Sequence, residues 1–168
     1  MLFRSVDRYV QTWEAFIALR ERGLVRSIGV SNFQPAHLDR LIAETGVVPS
    51  VNQVELHPRL VQEQVRAHDA KLGIATEAWS PLAQGTIMDE PAVSEIAQAH
   101  GRTPGQVVLR WHIQLQNIVI PKSVTPARIA ENIDVFGFEL SAEEMARITA
   151  LNRDERMGGD PGVVGVPG

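Results

Sequence analysis

Apolar residues fall along this chain in short runs and helical stripes, separated by glycine, proline and polar punctuation. Val10, Trp13, Phe16 and Ile17, with Arg20, give a mixed apolar face. They predict a first helix that Asp7 can cap, that reaches about Arg22 and that Gly23 stops. The run at residues 25–30 predicts a strand, and Ser31 and Asn32 follow it. Pro35 opens a helix that buries Leu38, Leu41 and Ile42 and ends at Gly46. Residues 50–55 predict a second strand, leaving through Leu56, His57 and Pro58. Val61, Val65, Ala67 and Leu72 mark the next helix, ended by Gly73. Residues 74–79 predict a third strand, which exits through Ser80, Pro81 and Leu82 into a polar loop over 83–90. A helix over 92–100 closes at Gly101, and a capping box of Thr103 and Gln106 launches another that carries Val107, Val108, Trp111 and Leu115. Residues 118–121 form an apolar, β-branched run that suits a buried fourth strand. Ser141 and Glu144 make a last capping box ahead of Met145, Ile148 and Leu151.

Strand, exit loop and helix therefore recur four times, with an extra helix in the last gap. Strands separated by helices pair in parallel through right-handed crossovers. An open doubly wound sheet and part of a (β/α) barrel both fit this pattern. The stretch over 1–152 reads as one domain. The tail over 153–168, rich in Gly, Pro and charge, reads as irregular or mobile.

The stretch from Ile118 to Asn132 concentrates the candidate chemistry. Lys122 and Ser123 leave the strand, Thr125 offers an N-cap hydroxyl, and Pro126 sits at the first helical position. Ile129, Ile133 and Phe136 repeat at helical spacing and predict a buried face. Arg128 and Asn132 share a side of the first turns. A lysine, a serine and the unbonded amides of a helix start would hold an anion, as on a phosphate-bearing nucleotide. A solvated lysine on an ordinary turn uses the same residues. Sorted by strand end, Ser31 and Asn32, then Gln53, Glu55 and His57, then Trp79 and Ser80, then Lys122 and Ser123 all lie at exits. In a parallel sheet these exits share the edge where ligands bind. Asn32 and Gln53 need polar partners, which a ligand carboxamide or neighbouring backbone would supply.

Composition narrows the classes. The 168 residues are 44% hydrophobic and 21% charged, enough for one domain with a sizeable core. A net charge of −4 gives no global drive toward nucleic acid. Cysteine is absent, which removes disulfides and thiolate chemistry and fits a cytoplasmic protein. No apolar run reaches a membrane span, and the first residues lack a secretion signal's core. No glycine-rich dinucleotide fingerprint, P-loop, zinc-protease motif or nucleophile elbow occurs, and the histidines show no metal-ligand spacing.

Taken together, GVSNF at 29–33, VNQVELHP at 51–58, EAWSPLAQG at 77–85, GRTP at 101–104 with the VLRWH that follows, and IPKSVTPARIAEN at 120–132 resemble the aldo-keto reductases. The diketogluconate-reductase-like bacterial members are similar. The match runs from about Arg8 to Asp160. It implies an α/β fold, the C-terminal half of a (β/α)8 TIM barrel: four parallel strands with crossover helices plus extra helices. It also implies NADP(H) as cofactor. Ser31, Asn32 and Gln53 are then expected to hold the nicotinamide carboxamide, and Trp79 to stack on the ring. Ser80, Pro81, Leu82 and Gln84 are expected along the pyrophosphate. Lys122, Ser123, Val124 and Arg128 are expected at the adenosine 2′-phosphate and adenine, with Glu131 and Asn132 at the adenine end. Two cations favour NADP(H) over NAD(H).

The family reduces a carbonyl to an alcohol by hydride transfer, using an Asp, Tyr, Lys and His set from the first half of the barrel. Nothing here matches that set. Tyr9, the one tyrosine, lies in the first helix, and Lys122 matches the cofactor lysine. The expectation is a cofactor-binding half that is inactive or nearly so alone, with the parent's small carbonyl as substrate. The alternative is a non-catalytic nucleotide-binding or self-associating fragment. A homodimer or a complementing N-terminal half are the expected partners, and neither nucleic acid nor membrane is.

Overall fold

A computed structural model describes residues 8–162. The expected Asp7 cap lies outside them. The elements follow the order α1 (Arg8–Glu21), β1 (Val30–Ser31), α2 (Pro35–Thr45), β2 (Val51–Glu55), α3 (Glu63–Leu72), β3 (Ala75–Trp79), α4 (Pro91–His100), α5 (Pro104–Gln114), β4 (Ile118–Val119), α6 (Pro126–Ile133) and α7 (Ala142–Thr149). A 3-10 turn covers Ala83–Gly85. The strands form one sheet in sequence order, β1-β2-β3-β4. The β1–β2 and β3–β4 pairs are parallel, as crossover helices require. The chain divides into two units. Of the described residues, the first holds 8–54, Glu63–Thr76 and 158–162; the second holds Glu55–Gln62 and Glu77–Met157.

In the first unit, α1 turns Val10 and Trp13 inward, where they meet Ile28 and Leu41; Tyr9, Ile17, Val30, Phe33 and Val47 pack around them. The Trp13 indole N–H donates to the Val47 carbonyl at 3.3 Å, so the ring is buried with its one polar atom satisfied. α2 buries Leu38 and Leu41 as its periodicity predicts. Its start is closed by a reciprocal box between Gln34 and His37, and its end by Gly46 in the left-handed conformation, φ 70°. Pairing of β1 with β2 sets Val30 opposite Asn52 and Ser31 opposite Gln53. The strand expected over 25–30 shrinks to Val30–Ser31, since Leu24 and Val25 face solvent. Ahead of β1, the Ser50 amide still donates to the Ile28 carbonyl at 2.9 Å.

In the second unit, α5 is the central helix. Val107, Val108, Leu109 and Trp111 are fully buried, each contributing about 1.5–3 kcal/mol of apolar burial. It packs against α4, α6, α7 and β4. The boxes Thr103–Gln106 and Ser141–Glu144 form as expected. β3 pairs with β4 in the register Glu77 to Ile118 and Ala78 to Val119.

Three expectations at the end of this unit fail together. The run at 118–121 is not a buried strand: β4 has two residues, and Ile118 and Ile120 are 45% and 47% exposed. The α6 stripe is not a buried face, because Ile129, Ile133 and Phe136 are 53%, 72% and 69% exposed. Last in the sheet order, β4 is paired with β3 alone among the described residues. The apolar pattern is real, and nothing described here covers it. Thr125 occupies the N-cap without a side-chain bond; its amide instead donates to the Ser123 hydroxyl at 3.2 Å.

Beyond α7, the Arg153 and Glu155 amides both donate to the Arg59 carbonyl at 3.1 Å, and the Met157 amide donates to the buried Glu55 carboxylate. No helix of the described residues is long and apolar enough to cross a membrane.

Candidate nucleotide-binding site

The first unit brings Ser31, Asn32 and Gln53 together. The carbonyl of Gln53 accepts both the Ser31 hydroxyl at 3.1 Å and the Asn32 amide at 2.8 Å. All three residues are half-buried, so each is reachable from outside. Asn32 has φ 61°, a left-handed conformation that asparagine tolerates better than most residues. It turns the chain sharply out of β1. Phe33 is then held at both ends by Asn52: its amide donates to Asn52 Oδ1 at 3.3 Å, and its carbonyl accepts from Nδ2 at 3.1 Å.

The second unit holds the rest. Trp79 ends β3, half-buried. The loop after it carries three non-glycine residues at positive φ: Ser80 (51°), Ala83 (46°) and Gln84 (54°). Such a cluster costs of order 1–3 kcal/mol per residue and persists only where surroundings enforce it. Part of the enforcement comes from His112, fully buried on α5, whose Nε2–H donates to the Pro81 carbonyl at 3.1 Å. Its Nδ1 lies 3.4 Å from the Asn117 amide nitrogen. Pro81 is buried, Leu82 half-buried and Gln84 exposed.

Because β3 and β4 pair in register, their exits lie side by side. Lys122, Val124, Arg128 and Glu131 are exposed there, and Ser123 and Asn132 half-buried. The first bond inside α6 runs from the Ile129 amide to the Thr125 carbonyl. The amides of Ala127 and Arg128 precede it, and Pro126 has none, so this helix start offers donors and the positive end of a dipole beside two cations. Among the described residues, no group of three or more His, Asp or Glu is placed to hold a metal ion.

Sequence reasoning missed the buried supports. His112 entered only among histidines without metal-ligand spacing, and Asn52 and Asn117 were not singled out. The available signal was polarity at inward positions: a carboxamide on a strand and an imidazole next to the core Trp111. His57, weighed as a possible ligand-lining residue, is fully buried instead. Its Nε2 lies 3.2 Å from Glu55, and desolvation holds its pKa below the ordinary value despite that carboxylate.

The model of the "Aldo/keto reductase family" matches residues 2–153. An aldo-keto reductase of Mycolicibacterium smegmatis is 59% identical over 155 residues, 92% of this chain and 56% of that protein. Methylglyoxal reductase DkgA of Escherichia coli K12 is 50% identical over 159 residues, 94% of this chain and 58% of its own length. Among solved structures, a point mutant of Gox0644 in complex with NADPH superposes with a TM-score of 0.90 at 51% identity, over 93% of this chain and 58% of that one. The chain thus spans little more than half the length of these relatives. The strand exits, the fold around them and these matches agree: the chain belongs to the aldo/keto reductase family.

Proposed function

We propose that this chain carries the NADP(H)-binding residues of an aldo-keto reductase that reduces a small carbonyl to an alcohol. The observation that carries the reading is the likeness to a relative solved with NADPH, together with cations at a helix start where that family places a phosphate. Lys122, Ser123, Val124 and Arg128 take the 2′-phosphate and adenosine, with Glu131 and Asn132 at the adenine. The β3 exit, Ser80, Pro81, Leu82 and Gln84, follows the pyrophosphate, and Trp79 offers a flat face to the nicotinamide ring. Ser31, Asn32 and Gln53 supply the donors and acceptors that a carboxamide needs. When bound, the cofactor supplies the hydride; the chain's own part is to hold and orient it. The proton for the nascent alkoxide has no assigned donor here. Its absence would cost the isolated chain at least ~10²-fold in rate.

The test compares cofactors. Arg128→Ala removes one charge-assisted contact to a phosphate that NADH lacks. It is expected to weaken NADPH binding about tenfold by fluorescence titration, with NADH nearly unchanged. Equal losses for both would remove the 2′-phosphate assignment. A second reading is favoured by the bare apolar stripe of α6: the chain associates with a second copy or with a complementing N-terminal half. Light scattering on the titration sample reads which assembly binds. A monomer that turns over carbonyls unaided would sink this reading.

A further inference from the structure

One buried acid of the first unit belongs to no cofactor contact proposed for this chain. Asp69, on α3 of the first unit, is fully buried, as is Asn52 on β2. Its oxygens lie 3.3 and 3.4 Å from Asn52 Nδ2, and the Thr76 hydroxyl donates to Oδ2 at 2.9 Å. Burial raises its pKa; the bonds from Asn52 and Thr76 and the charge of His68 pull it down. A carboxylate is an expensive way to fill core space, so its chemistry is the informative part. Both of its oxygens face donors, the Asn52 NH2 and the Thr76 hydroxyl, so Asn52 turns its NH2 toward Asp69 and its oxygen the other way. The oxygen then meets the Phe33 amide, and the second N–H meets the Phe33 carbonyl. Phe33 directly follows Ser31 and the left-handed Asn32, whose amide is tied to Gln53.

We propose that Asp69 and Asn52 are positioning residues that hold the Ser31–Asn32 turn in the shape required at the carboxamide end of the nicotinamide cofactor. Neither touches the cofactor; Asp69 orients Asn52, and Asn52 clamps the turn. This rests on the NADP(H) reading, and the experiment separates the two.

The test titrates the full chain and its Asp69→Leu, Asn52→Ala and Asp69→Asn variants with NADPH and with 2′,5′-ADP, which lacks the nicotinamide. Asp69→Leu and Asn52→Ala are expected to lose about tenfold on NADPH, the worth of one misplaced hydrogen-bonding group, and to keep 2′,5′-ADP affinity. Asp69→Asn still presents an acceptor oxygen to Asn52 and is expected to stay within about threefold of the native chain. Amide exchange at Asn32 and Phe33 is expected to speed up in the two damaging variants, while the amides of α2 hold. If Asp69→Leu does not fold, Asn52→Ala decides by the same comparison. A native chain that fails to bind NADPH overturns the cofactor reading and this role with it. A native chain that binds, with variants that lose nothing, that lose both ligands equally or that leave exchange at Phe33 unchanged, overturns the positioning role alone.

Discussion

Gly29 lies just before β1, level with Val51 across the β1–β2 pair. A Cβ built on it would sit 2.3 Å from Val51 Cγ1 and 2.8 Å from the Val51 carbonyl oxygen. The methyl group can rotate away. The carbonyl cannot, because it belongs to the backbone of β2. Gly29→Ala therefore forces the strands apart by several tenths of an ångström, where carbon contacts settle near ~3.5–4.0 Å. Overpacking of this kind costs roughly 1–3 kcal/mol. Alanine returns about 0.4–1 kcal/mol by restricting the unfolded chain, since Gly29 does not need a positive φ. The net is a loss of about 1–2 kcal/mol, or some 2–8 °C in Tm for a chain of this size.

The assay is thermal and urea unfolding of Gly29→Ala beside Gly105→Ala as control. At Gly105 the nearest atoms to a new Cβ are the Met88 methyl at 3.7 Å and the Thr103 hydroxyl at 3.9 Å, and the site is helical. Alanine there is expected to stabilise by up to about 1 kcal/mol. A Gly29→Ala protein as stable as the native chain would refute the close approach of the two strands at this point. The strain acts two residues before Ser31, so NADPH affinity is expected to fall along with Tm.

Thr103→Ala, which removes a hydroxyl that accepts from the Gln106 amide, is expected to cost about 1 kcal/mol, whereas Thr125→Ala, with no side-chain cap bond, stays within about 0.5 kcal/mol; urea midpoints check both. Burial depresses the His57 pKa, so the unfolded chain takes up a proton the folded chain resists. Stability from this site is then complete above about pH 6.5 and falls as pH drops below it, by at most ~1.4 kcal/mol per pH unit. Urea midpoints at pH 7.5 and 5.5 are expected to differ less in His57→Phe than in the native chain, and an equal difference would remove the assignment. Asp69 has the opposite sign: with its folded pKa raised, its contribution is present below about pH 3.9 and is lost as pH rises through the folded value. Asp69→Asn is therefore expected to compare more favourably with the native chain at pH 7 than at pH 3.5.

The sequence was readable wherever local chemistry and tertiary packing asked for the same thing. Thr103, Pro104 and Gln106 contain a whole helix start, and the structure has it. Leu38 and Leu41 at helical spacing are in the core. Reading failed where a pattern implied a neighbour. Ile129, Ile133 and Phe136 carry a correct amphipathic stripe, yet periodicity names the face to be covered and not what covers it. Residues 25–29 have strand composition, but Leu24 and Val25 stay in solvent and the ladder begins only at Val30. Within each unit the strand exits followed from parallel pairing: Ser31 lies opposite Gln53 at the end of β1, and β3 and β4 leave side by side. Their supports were harder to read, because only the inward register of Asn52 on β2 and the place of His112 beside Trp111 set them apart from other polar residues.

Those supports share one physical task. Asn32, Ser80, Ala83 and Gln84 all adopt backbone conformations that cost free energy, and they cluster at the exits of β1 and β3. Exposed side chains cannot enforce such turns, because water competes for every hydrogen bond they make. A buried polar group can. Deprived of water, it must bond to whatever the fold presents, and losing that bond leaves it unsatisfied in the core. Asn52 presents itself to the backbone of Phe33, and His112 to that of Pro81. Each is fixed in turn by a second buried group, Asp69 or Asn117. Each unit thus uses the same device independently: an inward polar side chain, locked by another, grips the backbone of a strained exit. Each exit is shaped from beneath, by groups that water cannot reach.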